Sequence, residues 1–207
     1  MSGRIIAFVG PSGAGKNFVK TAVKRIFPHV VELTVFTTRA RRPCDGLDRK
    51  TDIPVEEFLK MKKGGKIIAA HQPFGFKGHW YGFLKEQINE LLRRNEIILT
   101  EINVDNIKLF KRLYGDKIYL LAITAENEYL KHNLQLRDSE QIIDITVRLK
   151  SAIREINIIK KMKKKKLINR IINANWNNRD KLGRLVIDDL RKEINTSIKK
   201  ENKTELR

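Results

Sequence analysis

Eight residues, Gly10-Pro11-Ser12-Gly13-Ala14-Gly15-Lys16-Asn17, carry the most specific chemical signal in the sequence. They follow the apolar run Ile5-Ile6-Ala7-Phe8-Val9 and precede a helical pattern that begins near Asn17. Glycines at these spacings let the backbone curl with its N–H groups pointing inward, lysine reaches the outer phosphates of a nucleotide, and the helix start adds positive dipole. The stretch therefore reads as a phosphate cradle made by Gly10, Pro11, Ser12, Gly13, Ala14, Gly15, Lys16 and Asn17. Its eighth position usually carries Ser or Thr, whose hydroxyl binds Mg²⁺; here Asn17 offers an amide oxygen, a weaker substitute. A second cluster, Arg39, Arg41 and Arg42, lies just beyond an expected strand and is closed by the turn signal Asp45-Gly46. Guanidinium forks bind phosphate oxygens bidentately, so anion capture and a solvated basic loop are both open readings of that cluster. Glu101, near the end of another apolar strand, can steady a metal's water shell beside phosphates.

The elements that must position these groups follow from periodicity. Helices are expected over residues 17–26, 54–61, 83–94, 104–113, 127–136, 139–161 and 180–198. Strands are expected over 5–9, 30–36, 66–70, 97–102, 117–123 and 167–174. This alternation predicts an α/β fold built on a mainly parallel sheet. Residues 71–83, with Gly75, Gly78 and Gly82 among Phe74, Phe76, Trp80 and Tyr81, read as a bent loop or hairpin. Its rings can stack on a base or form the core of a small lobe, and core is the expectation for Trp80 and Phe76. The residues after Lys199 read as a frayed basic tail.

A chain of 207 residues is long enough for one domain with a sizeable core. No stretch approaches the apolar run of about 18 residues that a membrane span needs, and the lone Cys44 makes no internal disulfide. The expectation is a soluble, cytoplasmic protein that does not engage a membrane. A net charge of +19 and a pI near 10.1 call for acidic partners, either nucleotide phosphates or nucleic acid. Much of the excess sits in residues 160–166 and the tail, away from the cradle, so nucleic acid rests on charge alone. His29, His71, His79 and His132 have no metal-ligand spacing with one another or with Cys44, which argues against a zinc site.

With these pieces placed, the chain resembles the guanylate kinase family of P-loop nucleoside monophosphate kinases over about residues 4–195. Beyond the cradle, Thr37-Thr38-Arg39-x-x-Arg42-Pro43 followed by Asp45-Gly46-x-Asp48 is similar to that family's acceptor-binding signature. Trp80-Tyr81-Gly82 resembles its Tyr-Tyr-Gly, Glu101-Ile102-Asn103 its Glu-Ile-Asp, and Arg148-Leu149-x-x-Ala152-x-x-Glu155 its Arg-Leu-x-x-Ala-x-x-Glu helix. The resemblance implies a three-layer P-loop fold, with a small acceptor lobe near residues 37–83, a lid near 133–143, and a domain over 1–199. It implies ATP and Mg²⁺ as cofactors and phosphoryl transfer to a small phosphorylated acceptor, GMP or dGMP, by a monomer or homodimer. Lys16 and the loop amides would hold the donor phosphates, while Arg39, Arg42 and Tyr81 grip the acceptor's phosphate, with Glu101 on the acceptor side. Arg137 and Arg148, flanking the lid, would spread the charge that builds up during transfer.

Several positions depart from the family pattern. Val35, Ala69 and Phe83 stand where the family reads guanine with Ser, Glu and Ser or Thr; because the stretch 69–82 is longer here, His71 or Gln72 can take the place of the Glu. Arg49 replaces a phosphate-binding Tyr, Asn103 an Asp, and Asn133 a lid Arg. Three apolar side chains at the base positions predict weak preference among acceptor bases. Two alternatives stay open. A ribose 1,5-bisphosphate phosphokinase-like enzyme shares the fold and lacks the guanine contacts, and Lys16-Asn17 leans towards it, although Arg42-Pro43 and Asp45-Gly46-x-Asp48 lean away. A non-catalytic guanylate kinase-like binding module is the other, and such modules generally lose the lysine retained here as Lys16.

Overall fold

The computed structural model describes residues 3–41, 49–73, 79–136, 142–178 and 181–202. Its centre is β1 (Arg4–Val9), flanked by β7 (Ile97–Glu101) and β8 (Ile118–Ala125), with β2 (Val31–Glu32) and β9 (Arg170–Ala174) at the edges. All four pairings in this five-stranded sheet are parallel, and Ile5 lies opposite both Ile98 and Ile118. Strands 5–9 and 97–101 therefore share one sheet, in agreement with the sequence.

Alternation along these strands builds two cores. Ile6 and Phe8 of β1, Leu99 of β7 and Tyr119, Leu121 and Ile123 of β8 face one side. There they meet Val19 and Val23 of α1 (Lys16–Ile26) and Val186, Leu190 and Ile194 of α7 (Leu182–Asn202). Ile5, Ala7 and Val9, with Ile98, Leu120 and Ala122, face the other side. That side is covered by α3 (Lys85–Arg93), α4 (Ile107–Tyr114) and the end of α6 (Ile142–Lys164). Helices on both faces explain why the strands read as unbroken apolar runs. Helix α5 (Asn127–Gln135) leads from β8 towards α6.

A second, four-stranded sheet of order β4-β3-β6-β5 forms the lobe, from β3 (Val35–Thr37), β4 (Arg49–Lys50), β5 (Ile67–His71) and β6 (Tyr81–Leu84). Its small core of Ile53, Phe58 and Ile67 is capped by α2 (Val55–Lys63). Trp80 packs there, stacked on Phe58 with ring centroids 6.1 Å apart, so it is a lobe residue as expected. Phe76 lies outside the described residues.

The single strand expected over 30–36 is two strands in different sheets. Leu33 N–H donates to Leu99 C=O at 2.9 Å, ending the pairing with the central sheet, and Val35 then pairs antiparallel with Phe83. With no Gly or Pro in Val31-Glu32-Leu33-Thr34-Val35, nothing local marks the change of partner. Phe83, expected to open a helix, is instead a strand residue of β6, because its backbone is taken up by Val35 and Ile68. Helix α7 continues to Asn202, past the point near residue 199 where the sequence places the tail. The expected start of α6 and the middle of the lid fall on 137–141, outside the described residues. In the lysine run, Lys163 donates to the carbonyls of Ile168 and Asn169 at 3.3 and 2.5 Å, a structural duty next to the helix C-terminus. No described helix is long and apolar enough to cross a membrane.

Candidate active site

The loop between β1 and α1 is shaped by three glycines at positive φ: Gly10 at 146°, Gly13 at 87° and Gly15 at 94°. Gly15 is also the N-cap of α1, which has neither a capping side chain nor an acidic residue in its first turn. The first amides of the helix are thus left for an anionic ligand. Lys16 Nζ donates to the carbonyls of Gly10 and Pro11 at 2.8 and 3.0 Å. The lysine is half-buried and folded onto its own loop, poised to exchange those two carbonyls for phosphate oxygens.

Two later helices brace this loop. Asn133 Nδ2 of α5 donates to Gly13 C=O at 2.8 Å, and Arg148 Nη1 of α6 donates to Ser12 Oγ at 3.3 Å. The residue in place of a lid arginine therefore serves as a strut. Its signal in the sequence is weak: a polar residue three places from Leu130 and next to Leu134, both fully buried. Glu155 was legible only as part of the helix motif, yet it stands on the buried stripe with Ala152 and Ile159 and accepts from Ser151 Oγ at 3.0 Å. Burial raises its carboxyl pKa, and the nearby Lys16 ammonium opposes that shift.

On the lobe, Arg39 is 6% exposed. Its Nε donates to Tyr81 Oη at 3.2 Å and its Nη1 to Ala40 C=O at 2.6 Å. Thr37 Oγ1 accepts from Arg39 N–H, and Thr38 Oγ1 from Trp80 N–H, tying the Thr-Thr-Arg segment to β6. His71 stacks on Tyr81, with centroids 5.8 Å apart and planes 28° apart. Burial lowers the His71 pKa, opposed by its bond to Ala69 C=O and by the Asp105 carboxylate.

Both groups of residues open onto one cleft of about 710 Å³. Gly10, Ser12, Gly13, Gly15, Lys16 and Asn17 line one end, and Val35, Arg49, His71, Gln72, Tyr81 and Phe83 the other, with Glu101 and Asn103 along the wall. Pro11 and Ala14 are buried behind the loop, and Arg39 reaches the cleft through Tyr81. Arg42 and Arg137 lie outside the described residues. Ala69 does not take the place of a base-reading Glu: it is 5% exposed and belongs to the core, while His71 and Gln72 line the cleft. Asn103 Oδ1 accepts from Asp105 N–H, capping the turn after β7.

Glu101 Oε1 is buried without a hydrogen bond, and Lys20 Nζ stands 3.8 Å from that atom and 2.5 Å from Glu32 Oε1. A carboxylate without a hydrogen bond at Oε1, on a residue that lines the same cleft as Asn17, fits a hydrated Mg²⁺ carried in by phosphates. Among the described residues, no cluster of three or more His, Cys, Asp or Glu forms a metal cage. A magnesium ion held mainly by substrate phosphates and water needs none.

A parallel sheet with a glycine loop and lysine after its central strand, facing an arginine- and tyrosine-bearing lobe across one cleft, defines a P-loop nucleoside monophosphate kinase. The sequence matches the family model described as guanylate kinase over residues 2–165. It is 30% identical over 155 residues to a guanylate kinase of Thermotoga maritima, covering 73% of this chain and 72% of the relative. It is 31% identical over 159 residues to one of Fusobacterium nucleatum, covering 74% and 82%. The crystal structure of a guanylate kinase from Anaplasma phagocytophilum has the same fold, with a TM-score of 0.68 at 20% identity, over 93% of this chain and 86% of that one. The chain belongs to the guanylate kinase family.

Proposed function

We propose that the two ends of the cleft divide the transfer of a phosphoryl group from ATP to GMP, the donor at the glycine loop and the acceptor at the lobe. The observation that carries this reading is the placement of Lys16, at the start of α1 behind the central sheet, and Tyr81, on β6 of the lobe sheet, on the walls of one cleft. The loop amides and Lys16 bind the donor phosphates; Arg39 and Tyr81 orient the acceptor's phosphate. One of that phosphate's oxygens forms the new bond to the terminal phosphorus of ATP as the bond to the leaving ADP oxygen breaks. Positioning and charge stabilisation supply most of the catalysis, and no covalent enzyme intermediate is needed. Arg148, already against Ser12, is placed to share the charge that develops there. Asn17 and Glu101 are the residues that would hold Mg²⁺ or its water shell, and the ion, when bound, would neutralise charge on the donor phosphates. Such an enzyme belongs to nucleotide metabolism in the cytoplasm.

A coupled ADP-release assay across GMP, dGMP, AMP, CMP, UMP, dTMP and ribose 1,5-bisphosphate tests the reading. ADP formation with GMP and dGMP is expected; turnover with ribose 1,5-bisphosphate alone would overturn the nucleotide acceptor. Turnover with none would favour a binding module. In the same assay, Arg39→Ala should raise KM for every accepted substrate alike, by about 10- to 100-fold, since a charge-assisted hydrogen bond to phosphate contributes about 1.5–3 kcal/mol. A thermal melt of the variant separates that loss from unfolding.

Asn17→Ser restores a hydroxyl at the first turn of α1. Calorimetric titration should show Mg²⁺-ATP bound about five-fold more tightly, the effect of one improved ligand contact of about 1 kcal/mol. Equal or weaker binding would remove Asn17 from the metal's surroundings.

A further inference from the structure

We propose that His71 reads the acceptor's base, accepting a hydrogen bond at Nε2 from the ring N–H edge of guanine. The proposal rests on GMP being the acceptor. Strand β5 pairs with β6 through Ile68 opposite Phe83 and then through His71 opposite Tyr81, so that Ala69 and Ala70 together face Gly82. The extra residue is a β-bulge, and Ala69 sits at φ 54°, an uncommon conformation for a residue with a side chain. The bulge turns Ala69 into the core and re-aims His71 at the cleft, where it lies against Tyr81.

The tautomer follows from the hydrogen bonds. His71 Nδ1 is 3.1 Å from Ala69 C=O, and Asn106 Nδ2 donates to the same oxygen at 3.0 Å. A carbonyl oxygen only accepts, so Nδ1 carries the proton. In the neutral ring Nε2 then presents a lone pair, and burial keeps the ring neutral at neutral pH. Guanine offers ring N1–H and the 2-amino group as adjacent donors, whereas adenine has a bare nitrogen at the same ring position. An acceptor on this wall therefore favours guanine, and a site built around it rejects a base that leaves it unpaired. This replaces the weak base preference expected from Val35, Ala69 and Phe83 alone.

The charged and titratable groups around His71 are Asp105 from the turn after β7, Arg49 of β4 in the same cleft, and its stacking partner Tyr81. Protonation of His71 would turn Nε2 into a donor and set it against guanine N1–H.

Steady-state kinetics with GMP, IMP and AMP on the full chain test the assignment. His71→Phe keeps an aromatic ring beside Tyr81 and removes both nitrogens. It should raise KM for GMP and IMP about 10- to 100-fold, leave kcat and the KM for ATP near wild type, and collapse the preference for GMP over AMP. His71→Gln restores an acceptor without a titration and should recover most of the preference. The phosphate of GMP itself titrates near pH 6, so the pH effect is read as a difference between proteins. Between about pH 5 and 7, KM for GMP should rise with acidity more steeply in wild type than in His71→Gln. An unchanged GMP-to-AMP ratio in His71→Phe, with wild type active on GMP, would overturn the role of His71 alone. A wild-type protein inert towards GMP would overturn both this proposal and the acceptor on which it rests.

Discussion

Lys16→Ala is expected to lower kcat for ADP formation by at least about 10²- to 10³-fold, the loss typical when a preorganised donor to developing charge is removed. The folded state should change little. Lys16 is half-buried, and the interactions it loses are hydrogen bonds from its own ammonium to the carbonyls of Gly10 and Pro11 and its attraction to the Glu155 carboxyl, whose pKa burial already raises towards the neutral form. Those carbonyls lie beside an open cleft, where water can replace the lysine. The measurement pairs single-turnover kinetics at saturating ATP and GMP with a thermal melt. Undiminished turnover would remove Lys16 from the reaction, and a collapsed melting temperature would make it a structural residue.

Gly10→Ala is expected to have the largest effect on stability. A Cβ at Gly10 would lie 2.0 Å from the carbonyl oxygen of Ile123, and Gly10 holds φ 146°. Ile123 is fully buried in β8, an interior strand held between β1 and β9, so its backbone has nowhere to go. The clash and the unfavourable φ together should destabilise the fold by about 3 kcal/mol or more, lowering the melting temperature by roughly 5–15 °C. Gly65→Ala is the contrast. It too has positive φ, 69°, but nothing stands within 4 Å of its Cβ, so only the backbone term of about 1–2 kcal/mol remains. Chemical denaturation of the two variants separates steric exclusion from conformational preference. Equal losses would mean that the sheet yields at Ile123.

Much of the donor side could be read directly from the chain. The glycine spacing, Lys16 and the strand before them specify a phosphate-binding turn because each requirement is local: backbone freedom, side-chain reach and a helix start within a few residues. The apolar runs of β1, β7 and β8 likewise forced a sheet covered on both faces, since leaving either face in water would expose their buried side chains. Those two features together determined the fold class. The acceptor motifs were legible only by resemblance, because their chemistry depends on residues distant in sequence. Arg39 and Tyr81, 42 positions apart, meet only when β3 pairs with β6.

The division of residues 31–37 between two sheets was decided by tertiary structure, because an apolar stretch without a breaker pairs with whichever strand edge is offered, and here two are offered in turn. The bulge at Ala69 arose in the same way: its register is set by Phe83 and Tyr81 on β6, not by the sequence of β5. That one-residue offset moved Ala69 from the expected reading position into the core and placed His71 on the cleft wall. Asn133 followed the same logic, since its bond to Gly13 exists only where α5 crosses the loop. Residue types and local spacing specified a phosphate-binding turn on a parallel α/β sheet, and strand register decided which side chains of the lobe face the cleft, because register is a property of paired strands.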